Sequence, residues 1–223
     1  MAQPTLLQLR TRARQRANME NSQFVTDAEF NSYLNEAIAD LRDKMISKVG
    51  ADYFASTTTF TLVNGTENYA LPADFYKILY VEQRGIDQLY YKMRRFEVAE
   101  RSLGASPISY YAPEIKYRLT ANNITFTPVN QLGGIQVRLT YVPVPTELSA
   151  DNDTLNGYNG WETYVILLAA RKALVKEESD VSQVDSELQS LIQRIEAMAD
   201  NRDHGQPFRI QDNTFKRYGR WGF

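Results

Sequence analysis

Apolar positions recur every three to four residues at both ends of the chain and every second residue in its middle, which predicts helices flanking a region of strands. Near the N-terminus Phe30, Tyr33, Leu34, Ala37, Ile38, Leu41 and Met45 share one helical face. Thr26 and Glu29 have the spacing of a capping box, Val25 and Phe30 take the staple positions around it, and Gly50 is placed to stop the helix. A shorter helix precedes it, with Thr5 and Gln8 able to cap its start. Its Arg10, Arg12, Arg14 and Arg16 fall at every second position, which spreads them around the helix instead of lining one side.

Toward the C-terminus, the run Tyr164 to Ala170 is apolar nearly all round and predicts a helix from Trp161 to about Glu177, the central member of a bundle. Ser182 and Asp185 can open a last helix, in which Val184, Leu188, Leu191, Ile195 and Met198 form a narrow seam of coiled-coil type. From Glu177 to Asp203 there are eight acids against two bases, so an acidic outer face is expected, with Glu187, Glu196 and Asp200 on it. Such a run is commonly only the wet side of an amphipathic helix.

In the middle, Thr58, Phe60 and Leu62 alternate with Thr57, Thr59 and Thr61, and the same alternation returns at Ile115–Leu119, Ile124–Phe126 and Ile135–Tyr141. Asn64-Gly65 predicts a hairpin turn, and Pro143 and Pro145 end the last strand. The expected fold is therefore mainly α with a β-rich insertion. Residues 1–52 and 150–204 would form the helical bundle, 53–149 an antiparallel β insertion, and 205–223 an extended C-terminal arm.

That arm, GQPFRIQDNTFKRYGRWGF, has neither helical nor strand periodicity yet carries five aromatics and four cations. Burying Phe208, Phe215, Tyr218, Trp221 and Phe223 would gain roughly 2–3 kcal/mol each, whereas ordering its backbone costs about 1–2 kcal/mol per residue. Alone it does not fold. Trp, Tyr, Phe and Arg dominate binding hot spots, so these aromatics, with Arg209, Lys216, Arg217 and Arg220, are expected to order on another surface.

Composition removes several classes of chemistry. With no cysteine and one histidine, His204, there is no disulfide framework, thiol nucleophile, cysteine-ligated zinc or histidine cluster. A net charge of −2 argues against nucleic-acid binding by bulk electrostatics. The longest apolar run is far short of the roughly 20 residues of a membrane span, and MAQPTLLQLR lacks a signal-peptide pattern, so a soluble protein made in a cytoplasm is expected. No phosphate-binding glycine loop, dinucleotide fingerprint, nucleophile elbow or His-Glu-x-x-His occurs. Asp151-x-Asp153 with Glu162 imitates a calcium loop, but Leu155 takes a ligand position and the glycine is displaced to Gly157, which favours a plain turn. No cofactor, metal or catalytic residue is therefore expected.

Three stretches in the same order, LRTRARQRANMENSQFVTDAEFNSYLNEAIADL at 9–41, NYALPADFYKILYVE at 68–82 and WETYVILLAARKALVKEESDVSQVDSELQSLIQRIEAMADNRDHGQP at 161–207, resemble the head-to-tail adaptor (connector) proteins of tailed bacteriophages. The resemblance implies a non-enzymatic structural protein of the virion neck. It would form a homo-oligomeric ring of twelve subunits beneath the portal protein, with C-terminal segments reaching the portal and a tail or nozzle protein below. DNA would pass through the channel without sequence-specific binding, repelled by acids such as Glu187, Glu196 and Asp200 if these face it. The alternative weighed against this is a virion-associated, cell-wall-degrading hydrolase on a similar scaffold, disfavoured because no catalytic constellation stands out.

Overall fold

Both N-terminal helices begin at the capping boxes expected of them in the computed structural model, which describes residues 3–100, 115–129, 133–158 and 160–199. In α1 (Leu6–Arg16) the Thr5 hydroxyl accepts from the Gln8 N–H while the Gln8 side chain accepts from the Thr5 N–H. In α2 (Asp27–Lys48) Thr26 and Glu29 repeat the arrangement. Val25 and Phe30 are fully buried beside that cap, and Gly50 follows the helix at φ +119°.

The alternating arginines of α1 divide between inside and outside. Arg14 reaches into the α1–α2 turn and donates to the carbonyls of Met19, Ser22 and Val25 and to Asp27, with its guanidinium 4.5 Å from the Phe30 ring centre. Arg10, buried where Arg14 is partly exposed, donates to Asn31 and to Asp151. These two side chains satisfy backbone and carboxylate oxygens that the turn would otherwise leave open.

Helix α3 (Glu162–Lys176) packs against α1, α2 and α4 (Ser182–Ala199), as its all-round apolar sequence predicts. Val165, Ala169, Ala170 and Ala173 are fully buried, and the Tyr164 hydroxyl donates to Asp40 on α2. Burial, then that carboxylate, raise the Tyr164 pKa well above the ordinary phenol value. The start of α4 differs from expectation. Asp180 accepts from the Ser182 N–H at 2.9 Å and its hydroxyl at 2.8 Å, while Asp185 turns away to pair with Arg171.

The strands form two four-stranded sheets. The first has the order β1 (Ser56–Thr61), β8 (Gln136–Pro143), β3 (Phe75–Arg84), β4 (Tyr90–Lys92); the second β2 (Asn68–Ala70), β7 (Asn123–Thr127), β6 (Lys116–Thr120), β5 (Arg94–Arg95). All pairings are antiparallel except β5 with β6. Val81, Val137 and Leu139 from the first sheet and Ile124 and Phe126 from the second share one core, separate from the core of the helices.

This corrects the expected fold class. With about 41% helix and 25% strand among the described residues, and two sheets with a core of their own, the protein is a mixed α and β fold and not a mainly α bundle carrying a β-rich insertion. The strands that pattern-reading misses are the short ones, β2, β4 and β5, and β3, whose two register shifts break the period of two. Nor does Asn64-Gly65 close a hairpin. Gly65 does turn the chain at φ +82°, but β1 pairs with β8 and β2 with β7, so the turn carries the chain between sheets. Gly133 N–H, bonded to Asn64 Oδ1 at 2.6 Å, holds it against the approach to β8.

Two predictions follow from this packing. Leu167, 1% exposed, should lose about 2–5 kcal/mol on change to alanine, whereas Val175→Ala, at a position 52% exposed, should stay within roughly 0.5 kcal/mol; urea unfolding of the two variants compares them directly. The second concerns acid. The hydrogen bond from Lys176, then those from Thr26, bring the Glu29 carboxyl from an ordinary 4.5 down to about 2. A carboxyl depressed on folding contributes stability that is complete above pH 4.5 and is lost as the pH falls toward 2. Thermal unfolding across that window should therefore fall more steeply for the wild type than for Glu29→Gln, and superimposable profiles would refute the assignment.

Candidate assembly surfaces

The outer side of α2 and the segment that leaves β8 enclose a groove of about 620 Å³. Three contacts shape it. Arg42 donates to the Pro143 carbonyl at 2.7 Å, Asn35 exchanges two hydrogen bonds with the backbone of Leu148 at 3.0 and 2.9 Å, and the Tyr76 hydroxyl donates to Asp43 at 3.1 Å. Ile38, Ala39, Val144 and Pro145 line it, and Glu36, Asp43 and Glu147 stand exposed along it.

At the other end of β3 the chain turns through Gly85–Leu89 into β4. The turn is fixed from within: Gly85 N–H donates to the Leu89 carbonyl at 2.7 Å, and Asp87 accepts from the Leu89 N–H and the Tyr91 hydroxyl. A Cβ at Gly85 would lie 2.6 Å from both Asp87 and the Tyr91 ring, so only glycine fits there without displacement. Ile86 at the tip is fully exposed, and Leu89 and Tyr91 beside it are 61% and 48% exposed. Such a group of neighbouring apolar side chains is unusual on a surface that only meets water. Sequence reading passed over this hairpin, although an isoleucine inside a polar Gly-x-Asp-Gln turn was the available signal.

The acids named on α4 do not share one face. Glu187 faces Arg16 of α1 at 3.6 Å and Glu196 faces Lys48 of α2 at 3.7 Å, so they flank the buried Leu188–Ile195 seam on opposite sides. At 100° per residue the side opposite that seam carries Ser186, Ser190, Gln193 and Ala197, all exposed and uncharged. The expectation of an acidic outer face is corrected accordingly: a count of acids along the segment does not give their angle around the axis. Asp200, and the arm residues Phe208, Arg209, Phe215, Lys216, Arg217, Tyr218, Arg220, Trp221 and Phe223, lie outside the described residues.

The calcium-like loop uses its carboxylates internally. Asp153 accepts from the Ser149 and Ala150 N–H groups, both at 2.8 Å, which lowers its pKa, and Asp151 holds Arg10 at 2.9 Å. Among the described residues no group of three or more His, Asp or Glu side chains could hold a metal ion, and no helix is long and apolar enough to cross a membrane.

The described residues thus offer surfaces suited to contact. The family model for the SU10 adaptor protein matches residues 4–211. The chain belongs to that family. No individually curated protein matches it. As an SU10 adaptor it is a structural component of a phage particle, associated with portal and tail, which agrees with the resemblance seen in its sequence. The match takes in every described helix and strand.

The groove contacts supply a further prediction. Asn35→Ala leaves the Leu148 N–H and C=O without their partner and should cost about 1–3 kcal/mol, more than Asn35→Asp, which keeps the acceptor; denaturant midpoints would reverse that order if the contact were incidental.

Proposed function

We propose that this adaptor forms a ring between portal and tail around the channel through which the genome passes, and that it acts without catalysis. The observation that carries this reading is the family match across nearly the whole chain. Twelve subunits is the number that the family resemblance implies. The arm of residues 205–223 reaches the portal. Its aromatics Phe208, Phe215, Tyr218, Trp221 and Phe223 act as anchors, and Arg209, Lys216, Arg217 and Arg220 pair with acids around them. Energy at such contacts concentrates in a few desolvated anchors, while rim charges mainly tune association rate. Repetition around a ring supplies avidity, so modest affinity per arm suffices for a lasting attachment.

Deleting residues 205–223 should leave the helical and sheet cores folded, since the described residues of both cores pack against one another, and should abolish capture of portal in a pull-down. A truncated protein that binds portal at full affinity would contradict this assignment. Helix α4 faces the channel or a neighbouring subunit. Glu187→Lys, Glu196→Lys and Asp200→Lys together remove two exposed ion pairs, each worth about 0.2–1 kcal/mol, so the fold should persist. Genome ejection should slow. Normal ejection, with normal assembly, would exclude both positions for the helix.

A further inference from the structure

The hairpin tip and the groove have complementary chemistry, and we infer that the Gly85–Leu89 hairpin of one copy docks into the α2 groove of the next. The tip presents an apolar knob, Ile86 with Leu89, on a turn held rigid by its own hydrogen bonds. Arg84 and Lys92 stand on its two strands, while the one acid of the turn, Asp87, is engaged by Tyr91 and Leu89. The groove is the inverse: an apolar floor built on Ile38, Ala39 and Val144, bordered by Glu147, by Asp43, which also accepts the Tyr76 hydroxyl, and by Glu36, which also pairs with Lys172. A rigid knob loses little freedom on docking, which favours affinity, and opposite charges around both surfaces set its orientation.

The occupant has to be a second copy. Tyr76 beside the groove and Ile86 at the tip are ten residues apart on β3 and its turn, which at strand spacing is about 30 Å. A subunit therefore cannot place its own hairpin in its own groove. With knob and groove at opposite ends of one strand, the contact joins two different surfaces, and a heterologous contact of that kind generates rings when its rotation closes. The inference rests on the ring reading above only for that closure.

The chain has no cysteine, so single cysteines report the contact cleanly in the full-length protein. Oxidising a mixture of Ile86→Cys and Ala39→Cys should give a disulfide-linked pair, while each variant alone, and Ile86→Cys mixed with Thr59→Cys as a control, should give little. The double variant Ile86→Cys/Ala39→Cys should give a ladder ending in a closed oligomer. Ile86→Asp, at a position fully exposed among the described residues, should keep its circular dichroism spectrum and shift the assembly midpoint by about tenfold or more, as loss of a central anchor does. Cross-linking at 86–39 no stronger than the control, or wild-type assembly by Ile86→Asp, overturns the inference; filling of the groove by the basic, aromatic arm of residues 205–223 would be one such result, seen as cross-links from Ala39→Cys to Phe215→Cys in place of Ile86→Cys. If the 86–39 link forms but the ladder stops at two, the docking stands and the ring reading fails. If closed rings form without that link, the ring stands and the docking fails.

Discussion

One side of α2 holds the helical and the sheet cores together by gripping the chain where it leaves β8. Arg42 takes the last carbonyl of the strand and Asn35 takes both backbone groups of Leu148, five residues on. Neither end of that segment is free to move without leaving a donor or acceptor unpaired, at a cost that single hydrogen bonds do not repay elsewhere. The adjoining side of the same helix is buried through Phe30, Leu34, Ala37, Leu41 and Met45. The helix thus belongs to the bundle by its apolar stripe and to the sheets by its polar one. The groove exists because these two attachments hold the strand exit beside the helix without covering it.

Much of the helical part was legible because it is local. Caps, staple and apolar period involve residues three or four apart, and they placed α1, α2 and α3 correctly. The sheets were legible only in part, since their pairing is not local: Ser56 lies opposite Tyr141, and nothing near either residue says so. Asn64-Gly65 shows the limit well. The turn forms with Gly65 at positive φ but without the positive φ at Asn64 that a two-residue hairpin loop needs, and β1 and β2 pair with β8 and β7 instead. Register shifts in β3 hid the longest strand for a similar reason, because each bulge moves the following side chains to the opposite face.

The candidate surfaces divide the same way. Aromatics and cations in the arm could be counted from sequence, whereas the angle of an acid around α4 depended on which side of that helix was buried. Once Leu188 and Ile195 define the inner side, Glu187 and Glu196 fall on its two flanks, against cations of α1 and α2. Their charge is partly answered within the subunit. The groove was not legible before folding, because it is made from α2, Tyr76 of β3 and the segment after β8, which are far apart in the chain and acquire a role only by position.

For a family of adaptors, a fold that keeps its chemistry internal and offers rigid surfaces is well matched to contact. The most direct measurement is cryo-electron microscopy of the neck of the intact particle, at a resolution that traces helices and strands. The account predicts this fold repeated around the axis between portal and tail, with the arm of residues 205–223 against the portal and α4 toward the channel or the adjoining subunit. A neck whose density between portal and tail cannot hold the fold, or holds a single copy off the axis, would contradict it.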